Sequence, residues 1–245
     1  MTVRQATLRQ DTLHWSPSRV ATGAVLGAWA SLFWFLLVTD RWSLYLSTRT
    51  FWVVPTGAIL LTIAAVGRLM TARVPRPEPV PSSLSWTLGV IALPVVLILV
   101  LPPATLSGYA LGRRGGFVGS GVSVSTSDIA SGTLSFIDVA AAQSSKAGMA
   151  ALRSRAGEQV TLEGFVWRQD GAAADEILLT RYVVTCCVAD ATSAQVRVVN
   201  VPPGRFAPDD WVSVTGRIYP LGNEILVDAS AVQAIPQPER PYLTP

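Results

Sequence analysis

Two adjacent cysteines, Cys186 and Cys187, are the only thiols in the chain. They sit in the segment Arg181-Tyr-Val-Val-Thr-Cys-Cys-Val-Ala-Asp190-Ala, at the end of a stretch rich in β-branched residues. Read as a strand over Ile177–Cys187, this stretch points neighbouring side chains to opposite faces, one thiol inward and one outward. Several chemistries compete for the pair. The simplest is packing, with at least one cysteine acting as a small buried hydrophobe while Asp190 starts a turn. A redox pair or vicinal disulfide needs an oxidising compartment and a distorted strand, because the ring between neighbouring cysteines is strained. A metal site on Cys186, Cys187 and Asp190 falls short of the four ligands that a closed site uses. The single histidine, His14, is remote in sequence, so a zinc ion would have to borrow ligands from another chain. Nucleophilic catalysis fits worst, since residues 128–245 contain no histidine to activate a thiol. The candidate functional face is Arg181, Cys186, Cys187 and Asp190. The thiols would serve as soft ligands or packing anchors, and Asp190 and Arg181 as polar contacts.

Other catalytic signatures are absent from the sequence. There is no P-loop, HExxH, Rossmann glycine signature or CxxC. Asp175-Glu176 and Asp209-Asp210 fall at turns and read as solvated strand-end charges. The expectation is a protein that is not an enzyme and carries no cofactor, with a metal ion at the cysteines left open.

The elements that would position these residues begin at Thr133. Phe136–Arg153 is rich in helix formers, with Asp138 as a candidate N-cap. Five strand-like stretches follow: Gln159–Arg168, Ile177–Cys187, Ala194–Val201, Trp211–Tyr219 and Glu224–Val232, separated by Asp-Gly, Pro-Pro-Gly and Gly-Asn turns. Val160, Leu162, Gly164 and Val166 alternate with Thr161, Glu163, Phe165 and Trp167, the period of a half-buried strand. Five short strands in a small domain suggest an all-β barrel, OB-fold-like, with an SH3-like barrel as the other candidate. Gly164 and Gly216 would permit the tight coiling of such a barrel. The domain therefore spans 133–235, preceded by a flexible Gly/Ser-rich linker at 104–132 and followed by an extended Pro-rich tail at 236–245.

Residues 1–103 differ in kind. Three long apolar runs, at about 20–38, 51–70 and 84–101, carry no central charge and match a bilayer-spanning helix of about 20 residues. Arg68 lies near the end of the second, where it can snorkel to the headgroups. Pro94 should kink the third, and the Pro-rich 71–83 should be an extended strap. The first run does not read as a cleaved signal peptide, because a polar segment precedes it, no small-x-small site follows, and two more runs come after. Residues 1–127 carry a balance of +7 and residues 128–245 a balance of −4. The basic character thus belongs to arginines flanking the membrane helices. A net acidic barrel without Lys/Arg clusters among its aromatics argues against nucleic acid as a partner. Arg4, Arg9, Arg19, Arg68, Arg73 and Arg76 face Arg41, Arg49, Arg113 and Arg114 across the membrane. That bias favours a cytoplasmic N-terminus and an extracytoplasmic barrel in a multi-pass inner-membrane protein. Without intramembrane acids or histidines, the three helices make a poor transport pathway by themselves. Gly23, Gly27 and Ala30 form a small-residue stripe suited to close helix contact, within the chain or with a partner.

This order of features resembles the YcgQ-like family of permease subunits, whose C-terminal region is a domain of unknown function. The likeness rests on Pro102-Pro103, Leu106-Ser-Gly-Tyr-Ala and Arg113-Arg114-Gly, on Gly164-Phe165-Val166, on Leu179-Thr-Arg181-Tyr182, on Cys186-Cys187-Val-Ala-Asp190-Ala191, and on Trp211-Val-Ser-Val-Thr-Gly216. It implies membrane helices, an OB-like domain and an accessory role beside a multi-spanning permease subunit, with no mechanism attached. Some members carry a His-rich segment between helices two and three. Here that segment, TARVPRPEPVPSS, has no histidine, which weakens any metal role. The expected function is a non-enzymatic accessory subunit whose barrel docks on or gates its partner. The alternatives are a membrane-tethered thiol-redox or metal-delivery protein using Cys186 and Cys187, and a purely structural tether.

Overall fold

Long stretches free of central charge satisfy their backbone groups internally by forming helices, and three do so here: α1 (Pro17–Val38), α2 (Val53–Met70) and α3 (Ser82–Val100). The computed structural model describes residues 13–76, 78–101, 105–111, 126–143, 145–222 and 224–244. All three helices are long and apolar enough to cross a membrane. α1 starts earlier than its apolar run because Pro17 occupies its first turn, where a fixed φ and a missing N–H cost nothing. Arg68 lies in the last turn of α2, the end that favours a cation. The chain divides into two units, one of residues 1–42 and 51–103 and one of residues 43–50 and 104–245.

In the first unit α1 packs on α2. Gly23 is buried so closely against Leu69 that an added Cβ would lie 2.8 Å from Leu69 Cδ2. The small-residue stripe is therefore partly used inside the chain. Gly27 differs, since an added Cβ there would meet nothing within 4 Å. α3 runs on through Pro94. The Trp29 indole N–H donates to the Ile91 carbonyl at 3.0 Å, one residue beyond the Val90 carbonyl that Pro94 deprives of its donor. The strap is extended at its start, where Arg73–Val74 pairs antiparallel with His14–Trp15.

The second unit is the barrel. Its strands are β1 (Gln159–Trp167), β2 (Ile177–Val183), β3 (Thr192–Val199), β4 (Trp211–Leu221) and β5 (Glu224–Ala234). They close in the order β1-β2-β3-β5-β4 and back to β1, antiparallel throughout except for the β3–β5 pair. This is the strand order of an OB-fold. Closure needs neighbouring backbones to approach at two glycines. A Cβ on Gly164 would lie 2.7 Å from the Thr180 carbonyl oxygen. One on Gly216 would overlap the Asp228 carbonyl oxygen and sit 2.9 Å from the Ala229 Cα, at the register shift between β4 and β5. Alternating residues fill the interior, among them Leu162, Leu179, Val198, Val214 and Val227.

Among the described residues, four short helices lie between α3 and β1: α4 (Gly108–Leu111), α5 (Thr126–Ser131), α6 (Phe136–Gln143) and α7 (Lys146–Arg153). The single helix expected over 136–153 is two. Ser145 takes an extended backbone and its hydroxyl accepts the Gly148 N–H at 2.9 Å, starting α7 afresh. Asp138 is not the cap residue itself but reaches back from the first turn of α6 to the Ser135 N–H at 2.9 Å. The described parts of 104–132 are more than a connector. Ile129 of α5 is buried in the core, and Arg155 donates to the Ile129 carbonyl at 2.8 Å and the Gly132 carbonyl at 2.6 Å.

Candidate functional site

Strand β2 ends at Val183, paired to Thr192, and the cysteines lie beyond it in a turn. The strand expected through Cys187 is therefore shorter, and the opposite-face reading of the two thiols does not hold. Asp190 is the physical reason. It closes a short helical turn, Val188–Asp190, and its carboxylate accepts the Thr185 N–H at 3.1 Å and the Cys186 N–H at 2.7 Å. Two backbone donors bent towards one side chain cannot continue a ladder. Both thiols are free, Cys186 exposed and Cys187 half-buried, with their sulfurs 3.6 Å apart.

The electrostatics of this turn make Cys186 a poor nucleophile. The neighbouring Asp190 carboxylate, then the Cys187 thiol, push the Cys186 thiol up to about 11, so it is protonated at neutral pH. Burial works to raise the Asp190 carboxyl. The hydrogen bonds it accepts from Cys186, Thr185 and Cys187 outweigh that and hold it below the usual carboxylate range.

Residues 43–50 sit on the same turn. The Cys186 carbonyl accepts the Ser47 N–H at 3.1 Å and the Thr50 hydroxyl at 2.6 Å. Leu46 forms an antiparallel bridge with Cys187, and the Val188 N–H donates to the Tyr45 carbonyl at 2.8 Å. Ser47 is fully buried. Sequence reasoning missed this segment, which lies between two apolar runs. Its one signal was the alternation of Leu44 and Leu46 with Tyr45 and Ser47.

Arg181 does different work. From β2 it donates to the Arg240 carbonyl at 2.9 Å and the Pro241 carbonyl at 3.3 Å, and its guanidinium lies 5.6 Å from the Trp211 ring centroid. Burial lowers its pKa, with Glu163 opposing. The tail it grips runs beside β2. The Leu243 N–H donates to the Tyr182 carbonyl at 2.8 Å, and the Leu243 carbonyl accepts the Val184 N–H at 2.9 Å. The structure thus gathers Cys186, Cys187 and Asp190 in one turn, while the contacts of Arg181 are to the tail and Trp211.

A second cluster was not anticipated. Phe165, Tyr182 and Trp211 cluster on the outer face of the barrel, with Phe165 and Tyr182 stacked at a centroid distance of 5.7 Å and Phe165 and Trp211 edge-to-face at 6.0 Å. Leu106, Ala110 and Leu111 cover them, joined by Tyr242. The Tyr182 hydroxyl donates to the Ser107 carbonyl at 2.9 Å, and the Gly108 N–H donates to Asp209 at 2.6 Å. This aromatic face is covered by Leu106, Ala110 and Leu111 of the chain itself. Among the described residues, no group of three or more His, Cys, Asp or Glu side chains gathers to hold a metal ion.

Residues 147–245 match the family model of the DUF1980 C-terminal domain, a stretch that starts in α7 and takes in the whole barrel and its tail. No curated protein matches the chain. The cysteine turn, its Asp190 and the Arg181 clamp all fall within the matched region.

Proposed function

We propose that this membrane-associated chain is a non-enzymatic accessory subunit of a membrane permease, with an extracytoplasmic OB-like barrel that docks on or gates a multi-spanning partner in the inner membrane. The observation that carries this reading is the exposure of α3. Only 6% of its most apolar window is buried, against 22% for α1 and 17% for the span containing α2. Trp86, Ile91, Leu93, Val96 and Leu99 are all exposed, and these leave most of the helix surface free for lipid or another helix. The open space beside Gly27 supports the same reading, because a small residue with room over it admits a neighbouring backbone. The sidedness is supported by the arginine bias, which favours an extracytoplasmic barrel; residues 43–50 and the barrel, separated by the two spans α2 and α3, share that compartment.

The test is affinity purification of the tagged full-length protein from native membranes in mild detergent, with mass spectrometry of what co-purifies. A multi-spanning permease recovered in near-equal amount is the expected result. A lone protein at detergent conditions that preserve known membrane complexes would overturn the reading. Gly27→Leu supplies the control, since it should weaken recovery of the partner while leaving the barrel folded.

A further inference from the structure

We propose that the Cys186–Cys187 pair is a redox-sensitive latch for residues 43–50, seating that segment as a dithiol and releasing it as a vicinal disulfide. The proposal stands whether or not the partner is a permease. Its basis is where the hydrogen bonds fall. The segment is held by the Cys186 carbonyl, by the bridge at Cys187 and by the Val188 N–H, so these contacts fall on the Cys186–Cys187 peptide and on the peptide that follows it. Cys187 has an extended backbone, φ −153 and ψ 165, and this directs those groups towards the segment. A disulfide between neighbouring residues closes a small ring through that same peptide and forbids the extended arrangement. The Cys186 carbonyl then turns away from Ser47 and Thr50. The sulfurs already lie 3.6 Å apart, and Cys186 is exposed to an incoming reagent.

The reaction is thiol–disulfide exchange with a protein or small-molecule disulfide. One thiol of the pair, as thiolate, attacks the reagent's disulfide, forms a mixed disulfide and expels one reagent thiolate. The neighbouring thiol then attacks the mixed disulfide, closes the vicinal bond and expels the second. The pair loses two electrons and two protons, and the reagent disulfide becomes two thiols. Asp190 slows entry by keeping the Cys186 thiol protonated at neutral pH. Linkage works in both directions: contacts made only in the reduced form must bias the pair towards reduction.

The experiment uses the full-length protein in mild detergent, equilibrated in glutathione buffers of graded ratio and then quenched by alkylation. Mass spectrometry reads the thiol state, and brief trypsin treatment reads cleavage after the exposed Arg49. The expected result is a two-electron loss from the pair accompanied by at least a tenfold rise in Arg49 cleavage at the same buffer ratio. Thr50→Val removes one bond present only in the docked form and should make the pair about fivefold easier to oxidise. Cys186→Ser/Cys187→Ser should be cleaved at one slow rate in every buffer. The proposal is overturned if the vicinal disulfide forms without change at Arg49, if the pair stops at a glutathione adduct, if it stays reduced in pure glutathione disulfide, or if Thr50→Val leaves the midpoint unmoved.

Discussion

Replacing Gly216 by Ala tests the closure of the barrel. The new Cβ would overlap the Asp228 carbonyl oxygen and lie 2.8 Å from Val227 Cγ1 and 2.9 Å from the Ala229 Cα. Carbon atoms rest about 3.5–4.0 Å apart, so β4 and β5 must separate by roughly 0.6–1 Å at this point. Two of the three obstacles are backbone and cannot rotate aside. Overpacking of this kind costs about 1–3 kcal/mol. A strained ladder hydrogen bond adds about 1 kcal/mol. Loss of unfolded-chain freedom on going from Gly to Ala returns about 0.4–1 kcal/mol. The net is a destabilisation of about 1–3.6 kcal/mol. For a unit of this size it lowers Tm by about 2–14 °C. Calorimetry of the full-length protein in mild detergent measures it, with hydrogen exchange in peptides covering 159–167 and 211–234 assigning the transition to the barrel. A variant that melts within 1 °C of the parent, with unchanged exchange, would refute the argument that close approach at Gly216 closes the barrel.

Two further predictions concern the turn and the tail. Arg181→Ala removes two hydrogen bonds to tail carbonyls, so amide exchange at Tyr242 and Leu243 should rise at least tenfold while β3–β5 exchange is unchanged; equal protection in the variant would sink the clamp. Asp190→Asn should destabilise the barrel by about 1–2 kcal/mol at neutral pH, because hydrogen bonds to a charged acceptor are the stronger ones. Since the folded carboxyl titrates below its unfolded value, the stability it contributes is present above about pH 4 and fades as pH falls through the folded value. The gap between parent and variant should therefore shrink in acid, and a gap that widens between pH 6 and pH 3 would contradict the assignment.

Much of this architecture was legible because it follows from local rules. Apolar runs without central charge gave α1, α2 and α3, and β-branched and aromatic composition bounded by turn residues located the five strands within a few residues, with period-two alternation marking the first. Gly164 and Gly216 were informative since a strand interior offers little other reason for a glycine. What escaped was set by tertiary contacts. Nothing in Tyr-Val-Val-Thr-Cys-Cys shows that β2 stops at Val183, because the stop is imposed by an aspartate several residues later capturing two N–H groups. The contacts of Arg181 were hidden for a related reason: proximity in sequence to the cysteines does not reveal that its guanidinium reaches the tail. The role of residues 43–50 is a long-range pairing, invisible to any window along the chain.

That pairing also imposes an order on biosynthesis. Thr50 and the Cys186 carbonyl that it binds are 136 positions apart. At a synthesis rate of about 5–20 residues per second, residues 43–50 leave the ribosome on the order of 10 s before the turn that receives them. Throughout that interval the Ser47 N–H must be satisfied by water or by a chaperone, while the Thr50 hydroxyl can turn to the Ser47 carbonyl, 3.1 Å away within its own segment. The segment must be kept available from early in synthesis, and the barrel that emerges later finds part of its own surface already waiting.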